Sequence, residues 1–580
     1  MARVDLVIRG GSLHDGLGGE PIVGDVAIRD GLIVAIGQVD DVGEDEIDAR
    51  GKIVTPGFID VHTHYDGQAT WETRMAPSSN HGVTSVVMGN CGVGFAPCRP
   101  GEHDMLVKLM EGVEDVPEVV MTEGLPWNWE TFPDYLDALD QRQLDIDVAA
   151  QLPHSALRVF VMGVRGADGE PPTSDDLAAM RKLTAEAMRA GAMGVSTSRN
   201  NLHRTRAGDL APSVHSEEDE LQAIAQGLRD AGTGVYQIIP QVFGDAESEF
   251  ALMRRLSETA QRPLSFSLLQ TMTGDPDAWR KSLALLTAAN AEGVPIKAQV
   301  FPRPVGYLYG LDLSFHPFCL HPSFQPLLDL PLTEKVRAMR DPALRARLLA
   351  ETPQDANAVF VATVDGFRFA MPLGDPPNYQ PDPRDQIGRK AKQAGLSVAE
   401  YAYDLLLENE GRNIFFMPAA NYRDGNLDAA REMAAHPYTV LGLGDGGAHY
   451  GMICDASYPT FVLQTWVRDA PAEKKVALKD AIRALTSDPA DLVGFQDRGR
   501  LAVGYKADVN IIDLERLRLH APTVVRDLPA GGRRLRQQAD GFVATIVAGQ
   551  VTYREGVHTG AVPGRLVRGA QPAPDPVRAA

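Results

Sequence analysis

Cysteine is scarce in this chain: only Cys91, Cys98, Cys319 and Cys454 occur in 580 residues. That excludes a disulfide framework and fits a reducing compartment. Positive charge is also short, with 56 Lys and Arg against 77 Asp and Glu, a formal charge of -21. Nucleic acid and anionic membranes reward a basic surface, so neither is expected as a partner. No uninterrupted apolar run reaches membrane-spanning length, and the opening Met1-Ala2-Arg3-Val4-Asp5-Leu6 lacks the apolar core of a secretory signal. A cytoplasmic location is the expectation. Histidine is absent from one long stretch, with none between His215 and His316.

An apolar fraction of 44% is ordinary for a globular chain and excludes a fibre or a disordered protein. At 580 residues the chain exceeds the size at which one core stops growing, so two domains are expected. Short alternating runs bounded by Gly and Asp fill both ends, such as Val4-Asp5-Leu6-Val7-Ile8-Arg9-Gly10-Gly11 and Phe542-Val543-Ala544-Thr545-Ile546-Val547-Ala548-Gly549. They predict one composite β-sandwich domain from residues 1–55 and 495–570, with a larger domain, 56–494, inserted between them.

The middle changes period. Ser174 precedes Leu177, Met180, Leu183 and Met188 at helical spacing, and Gly191 stops the segment. Helix and buried strand then alternate, with strands expected at 235–239, 294–301, 413–417 and 438–443. Repeated units of this kind imply parallel strands and point to an α/β barrel. A Pro-rich and aromatic-rich excursion at 302–390 breaks the rhythm; because it leaves from a strand's C-terminal end, it is expected to form a lid or substrate wall. The tail 571–580 is expected to be disordered.

The chemistry-bearing pattern is Pro56-Gly57-Phe58-Ile59-Asp60-Val61-His62-Thr63-His64. Side chains two apart on a strand share a face, so the strand tip presents two imidazoles together, in outline a metal clamp. A thiolate and a carboxylate from other strand ends complete such a site, and Cys91 in Gly89-Asn90-Cys91-Gly92 and Asp445 in Gly442-Leu443-Gly444-Asp445-Gly446 are the candidates.

These residues, together with Val7-Ile8-Arg9-Gly10-Gly11, Gly82-Val83-Thr84-Ser85-Val86, His154-Ser155-Ala156-Leu157-Arg158 and Gly191-Ala192-Met193-Gly194, resemble the amidohydrolase superfamily, and within it the N-acyl-D-amino-acid deacylases. The resemblance implies a (β/α)8 barrel beside a small β-sandwich and hydrolysis of an amide by metal-activated water. It places His62 and His64 as first-strand metal ligands and Cys91 at the position of the cysteine that replaces a carboxylated lysine in this branch. It makes Asp445 a ligand and the residue that takes a proton from water and passes it to the leaving nitrogen. A small-molecule substrate is implied, and a homo-oligomer is left open.

The chain departs from that family at two strand ends. Where the deacylases carry histidine ligands it reads Tyr236-Gln237-Ile238-Ile239-Pro240-Gln241 and Leu264-Ser265-Phe266-Ser267-Leu268-Leu269-Gln270, and Gln270 stands where a substrate-carboxylate lysine is expected. Zn2+, about one per chain, on His62, His64 and Asp445 is the first expectation. Cys91 as a fourth ligand, Lys297 as another inward group, and a chain with little or no metal acting as a binding scaffold stay open. A cyclic amide is the alternative substrate. His154, Arg199, Asn421 and His449 follow other strands and are candidate substrate contacts, His449 also as a partner orienting Asp445.

Overall fold

Arg3–Leu13 buries Leu6 and Ile8 in one apolar cluster and Val7 in another on the opposite face, so this strand is covered on both sides. The computed structural model of the chain describes residues 3–574. In it both chain ends enter one nine-stranded sheet, where Val509–Ile512 lies antiparallel between Ile53–Pro56 and Phe542–Val547. Ile8, Val26, Ile28, Val54, Ile511 and Ile546 pack beneath it as a separate core.

The segment between the chain ends carries parallel strands: β1 (Phe58–Asp60), β2 (Val83–Met88), β3 (Asp147–Ala150, continued as Leu152–Pro153), β4 (Gly194–Ser198), β5 (Val235–Ile239), β6 (Leu264–Ser267), β7 (Ile296–Val300) and β8 (Thr439–Leu441). β1 to β3 pair in chain order, and so do β3 to β8. Their interiors are almost wholly buried, as expected of strands covered on both faces. Beyond the first and last strands the backbone is joined as well: His64 N–H donates to Gly446 O at 2.8 Å and Asp445 N–H to His62 O at 3.1 Å.

Helices cover these strands. Ser174–Ala190 is the helix expected at 174–191, but its cap is Thr173, whose hydroxyl accepts from Asp176 N–H, rather than Ser174. Gly191 ends it at φ 110, where a side chain would be strained.

The excursion is longer than its Pro-rich stretch suggests. Phe415–Ala420, expected as a barrel strand, pairs antiparallel with Val305–Tyr309 and with Met371–Pro372 in a separate small sheet. An apolar run announces burial but not the direction of its neighbour. Tyr309, Phe315, Phe318, Val336, Phe367 and Tyr403 give this region its own core. At the far end, Gln571 N–H donates to Gly494 O at 2.9 Å, so the tail is held at its start; residues 575–580 lie outside the described residues. Among the described residues no helix is long and apolar enough to cross a membrane.

Candidate metal centre

Donor atoms from three strand ends lie close together, and among the described residues His62, His64 and Cys91 each offer one within 4.8 Å of the others. His62 and His64 follow β1, Cys91 follows β2 and Asp445 follows β8. Cys91 Sγ lies 3.4 Å from His62 Nε2, and Asp445 Oδ1 lies 3.5 Å from His62 Nε2 and 3.6 Å from His64 Nε2. A tetrahedral ion with bonds of about 2.0–2.3 Å sets its ligand atoms about 3.3–3.8 Å apart. His64 Nε2 and Asp445 Oδ1 are buried with no hydrogen-bond partner, which in a dry interior is costly unless a cation meets them. The donor types suit a divalent ion, with His62, His64 and Cys91 as the compact set and Asp445 beside the two imidazoles.

The local chain is bent to permit this. Cys91, Leu443, Asp445 and His449 all have left-handed φ, at 56, 63, 48 and 50°. Such conformations cost free energy in non-glycine residues and cluster at functional sites. Gly447, at φ 89, passes so close to His64 that a Cβ there would sit 2.7 Å from its carbonyl carbon. Only glycine lets this turn lie against the strand end that bears the imidazoles.

Electrostatics favour neutral imidazole ligands. Burial pulls His62 down to about 4 and His64 to about 3. His62 Nδ1 lies 2.7 Å from Gln299 Oε1 in β7, so Nδ1 carries the proton and Nε2 turns its lone pair to the centre. Gln299 is itself held by its Nε2–H donating to Ser265 Oγ at 3.1 Å. Gln299→Leu is expected to weaken metal binding about 10–100-fold, measured by competition with a chelating indicator; unchanged affinity would contradict this role. Burial also pushes the Cys91 thiol well up, with Glu114, Asp445 and Asp66 adding to it, so thiolate forms there only beside a cation.

Above this floor opens a cavity of about 330 Å3 lined by His62, His64, Cys91, Asp445 and His449 among others. Glu114, the last residue of the helix His103–Glu114, is fully buried between two imidazoles. Its Oε1 is 3.5 Å from His64 Nδ1 and its Oε2 is 3.3 Å from His449 Nε2. Burial, reinforced by Asp445 and Asp66, raises its pKa well above the carboxylate range. His203 also lines the cavity, and burial lowers it to about 3.

Of the substrate contacts expected from sequence, the structure brings only His449 to the cavity wall. His154 is sealed beneath it, with Nδ1 2.8 Å from Thr197 Oγ1 and Nε2 2.7 Å from Glu220 Oε1, and both ring nitrogens are thereby satisfied. Asn421 is buried and ties backbone together, its Oδ1 accepting from Gln270 N–H at 2.8 Å and its Nδ2–H donating to Phe301 O at 3.2 Å. Arg199 is turned onto Glu249, Nε to Oε2 at 3.1 Å, and it is Glu249 that faces the cavity. Lys297 does not line the cavity; it lies within electrostatic reach of Asp488. Where histidines were missing, Gln237 is buried with neither amide atom bonded, and Ser265 serves Gln299.

Sequence reasoning did not single out Glu114, His203 or Gln299. Gln299 had a signal, since it shares the inward face of β7 with position 297. Glu114 had none, being one carboxylate among several on an amphipathic helix.

The profile of the Amidohydrolase family matches residues 45–553. The chain belongs to the amidohydrolase family. Among its relatives in that family, a D-aminoacylase of Alcaligenes xylosoxydans xylosoxydans is 27% identical over 97% of both chains. An N-acyl-D-glutamate deacylase of the same organism is 28% identical over 88% of each. An uncharacterized protein of Mycobacterium tuberculosis is 30% identical over 95% of this chain and 92% of its own. In structure, this amidohydrolase is similar to a D-aminoacylase at a TM-score of 0.64, with 22% identity over 97% of this chain and 100% of that one. It is similar to the N-acyl-D-glutamate deacylase of Bordetella bronchiseptica, complexed with zinc and a phosphonate inhibitor, at 0.65, with 22% identity over 98% and 100%. At that identity the likeness establishes a shared fold.

Proposed function

We propose that the chain is a zinc-dependent hydrolase that cleaves a nonpeptide C–N amide bond in an N-acyl amino acid or a related amide, on a closed (β/α)8 barrel. The observation that carries this reading is the cluster of His62, His64 and Cys91 donor atoms within 4.8 Å of one another on the cavity wall, with Asp445 Oδ1 3.5 and 3.6 Å from the two imidazoles. The deacylase relatives support the bond type.

His62, His64 and Asp445 would hold the cation, with Cys91 as a further donor, and a divalent ion there would supply polarisation of the amide carbonyl and a lowered pKa of water. Asp445 lines the cavity with its side chain 22% exposed, placed to accept a proton from the attacking water and return it to the leaving nitrogen. Without that return the amine leaves as an unstable anion. Glu114 stands between the rings of His64 and His449, and the partly exposed His449 lines the cavity for a contact to substrate.

The test is release of free amine from N-acyl amino acids of both hands and from their carboxamides, using protein loaded with zinc. Hydrolysis of at least one member is expected; no release from any, with zinc bound, would overturn the reading.

A further inference from the structure

The cavity wall is apolar on one side, where Met253, Phe266, Trp279, Tyr307, Phe315 and Phe360 face it. Its charged groups are all of one sign: Asp115, Glu249, Asp275, Asp445 and Asp455 line it, and among the described residues no lysine or arginine does. Several cations near the cavity are already engaged. Arg199 spends both Nε and Nη2 on Glu249 at 3.1 Å. Arg303 is wholly buried and donates to Asp455 Oδ1 and to Cys454 O, each at 2.8 Å. Lys281 reaches Asp275 at 2.7 Å from an exposed position. The histidines do not supply positive charge either, since burial holds His203 at about 3 and His449 at about 4.

A free carboxylate entering this cavity would leave water and find no cationic side chain. Away from the metal floor its neighbours would be carboxylates and hydrocarbon. A desolvated charge without a partner is strongly disfavoured, and like charge adds to the cost. An uncharged apolar group meets no such penalty and gains from burial.

We infer that the substrate is an uncharged N-acyl compound, an amide whose amine half carries an apolar group and no free carboxylate. This rests on the hydrolase reading above and narrows its substrate class. Burial of aromatic surface against Trp279, Phe266 and Phe360 then supplies the binding that a salt bridge supplies elsewhere.

The test compares, on zinc-loaded protein, N-acetylphenylalanine of each hand with its N-methylamide and with N-acetylphenethylamine, reading the freed amine. The expected result is a kcat/KM for a neutral compound roughly tenfold or more above that of the matching acid. An acid cleaved as fast as its neutral partner, or faster, would overturn this inference and leave the hydrolase reading standing. If none of these compounds nor the wider N-acyl amino acid panel is cleaved while zinc is bound, both readings fall together.

Discussion

Asp445→Asn is expected to lower kcat/KM by about a thousandfold or more while leaving the fold intact. The carboxylate has two tasks that an amide cannot perform. Its Oδ1, 3.5 and 3.6 Å from the two imidazoles, is an anionic donor to the centre, and asparagine has no negative charge to offer a cation. It also accepts and returns a proton, and an amide has no useful basicity. The exchange is nearly isosteric and the left-handed φ of 48° suits asparagine, so packing should not suffer. The two tasks separate when kinetics are measured at saturating zinc, which restores occupancy but not proton transfer. Activity within tenfold of the parent under those conditions would contradict the role assigned to Asp445.

Asp147→Asn is expected to destabilise the chain by about 3 kcal/mol at neutral pH. Asp147 lies in β3, fully buried, and accepts from Arg498 and from Lys506 Nζ, the latter at 2.8 Å. Lys506 also donates to Asp508 at 2.8 Å, so this cluster joins the parallel strands to the segment that leads into the terminal sheet. Burial alone would raise the carboxyl of Asp147, but Lys506 and Arg498 outweigh it and bring it down to about 2. A folded pKa below the unfolded one means that the contribution is present above about pH 4 and is lost as pH falls through about 2. The gap between parent and variant should therefore be widest at neutral pH and narrow below pH 4. Urea midpoints across that range measure it; a constant gap would contradict the charge-pair account. The sheet built from both chain ends and the parallel strands have separate cores, so the first transition is the one to follow.

Much of the centre was legible because strand geometry is simple. His-x-His after an apolar run puts two imidazoles on one face, and Asp445 ends a second such run; both sit where the sequence places them. Cys91 joined them through its place after β2. The candidate substrate contacts were less legible, for a physical reason. His154, Arg199 and Asn421 also follow strands, but Glu220, Glu249 and the Gln270 backbone engage them, and those partners come from elements distant in sequence. Glu114 shows the converse: a carboxylate that reads as helix surface becomes buried because its helix ends against His64 and His449. The parallel sheet followed from alternating periodicity, whereas Phe415–Ala420 joined a different sheet, because strand composition does not name its neighbours.

Elemental analysis of metal per chain, on the parent protein and on a His62→Ala, His64→Ala double variant, tests the central claim most directly. The account predicts about one zinc per parent chain, displaced by a strong chelator, and essentially none in the variant while circular dichroism stays unchanged. A parent chain that holds no divalent metal after reconstitution, or a variant that holds as much as the parent, would contradict it.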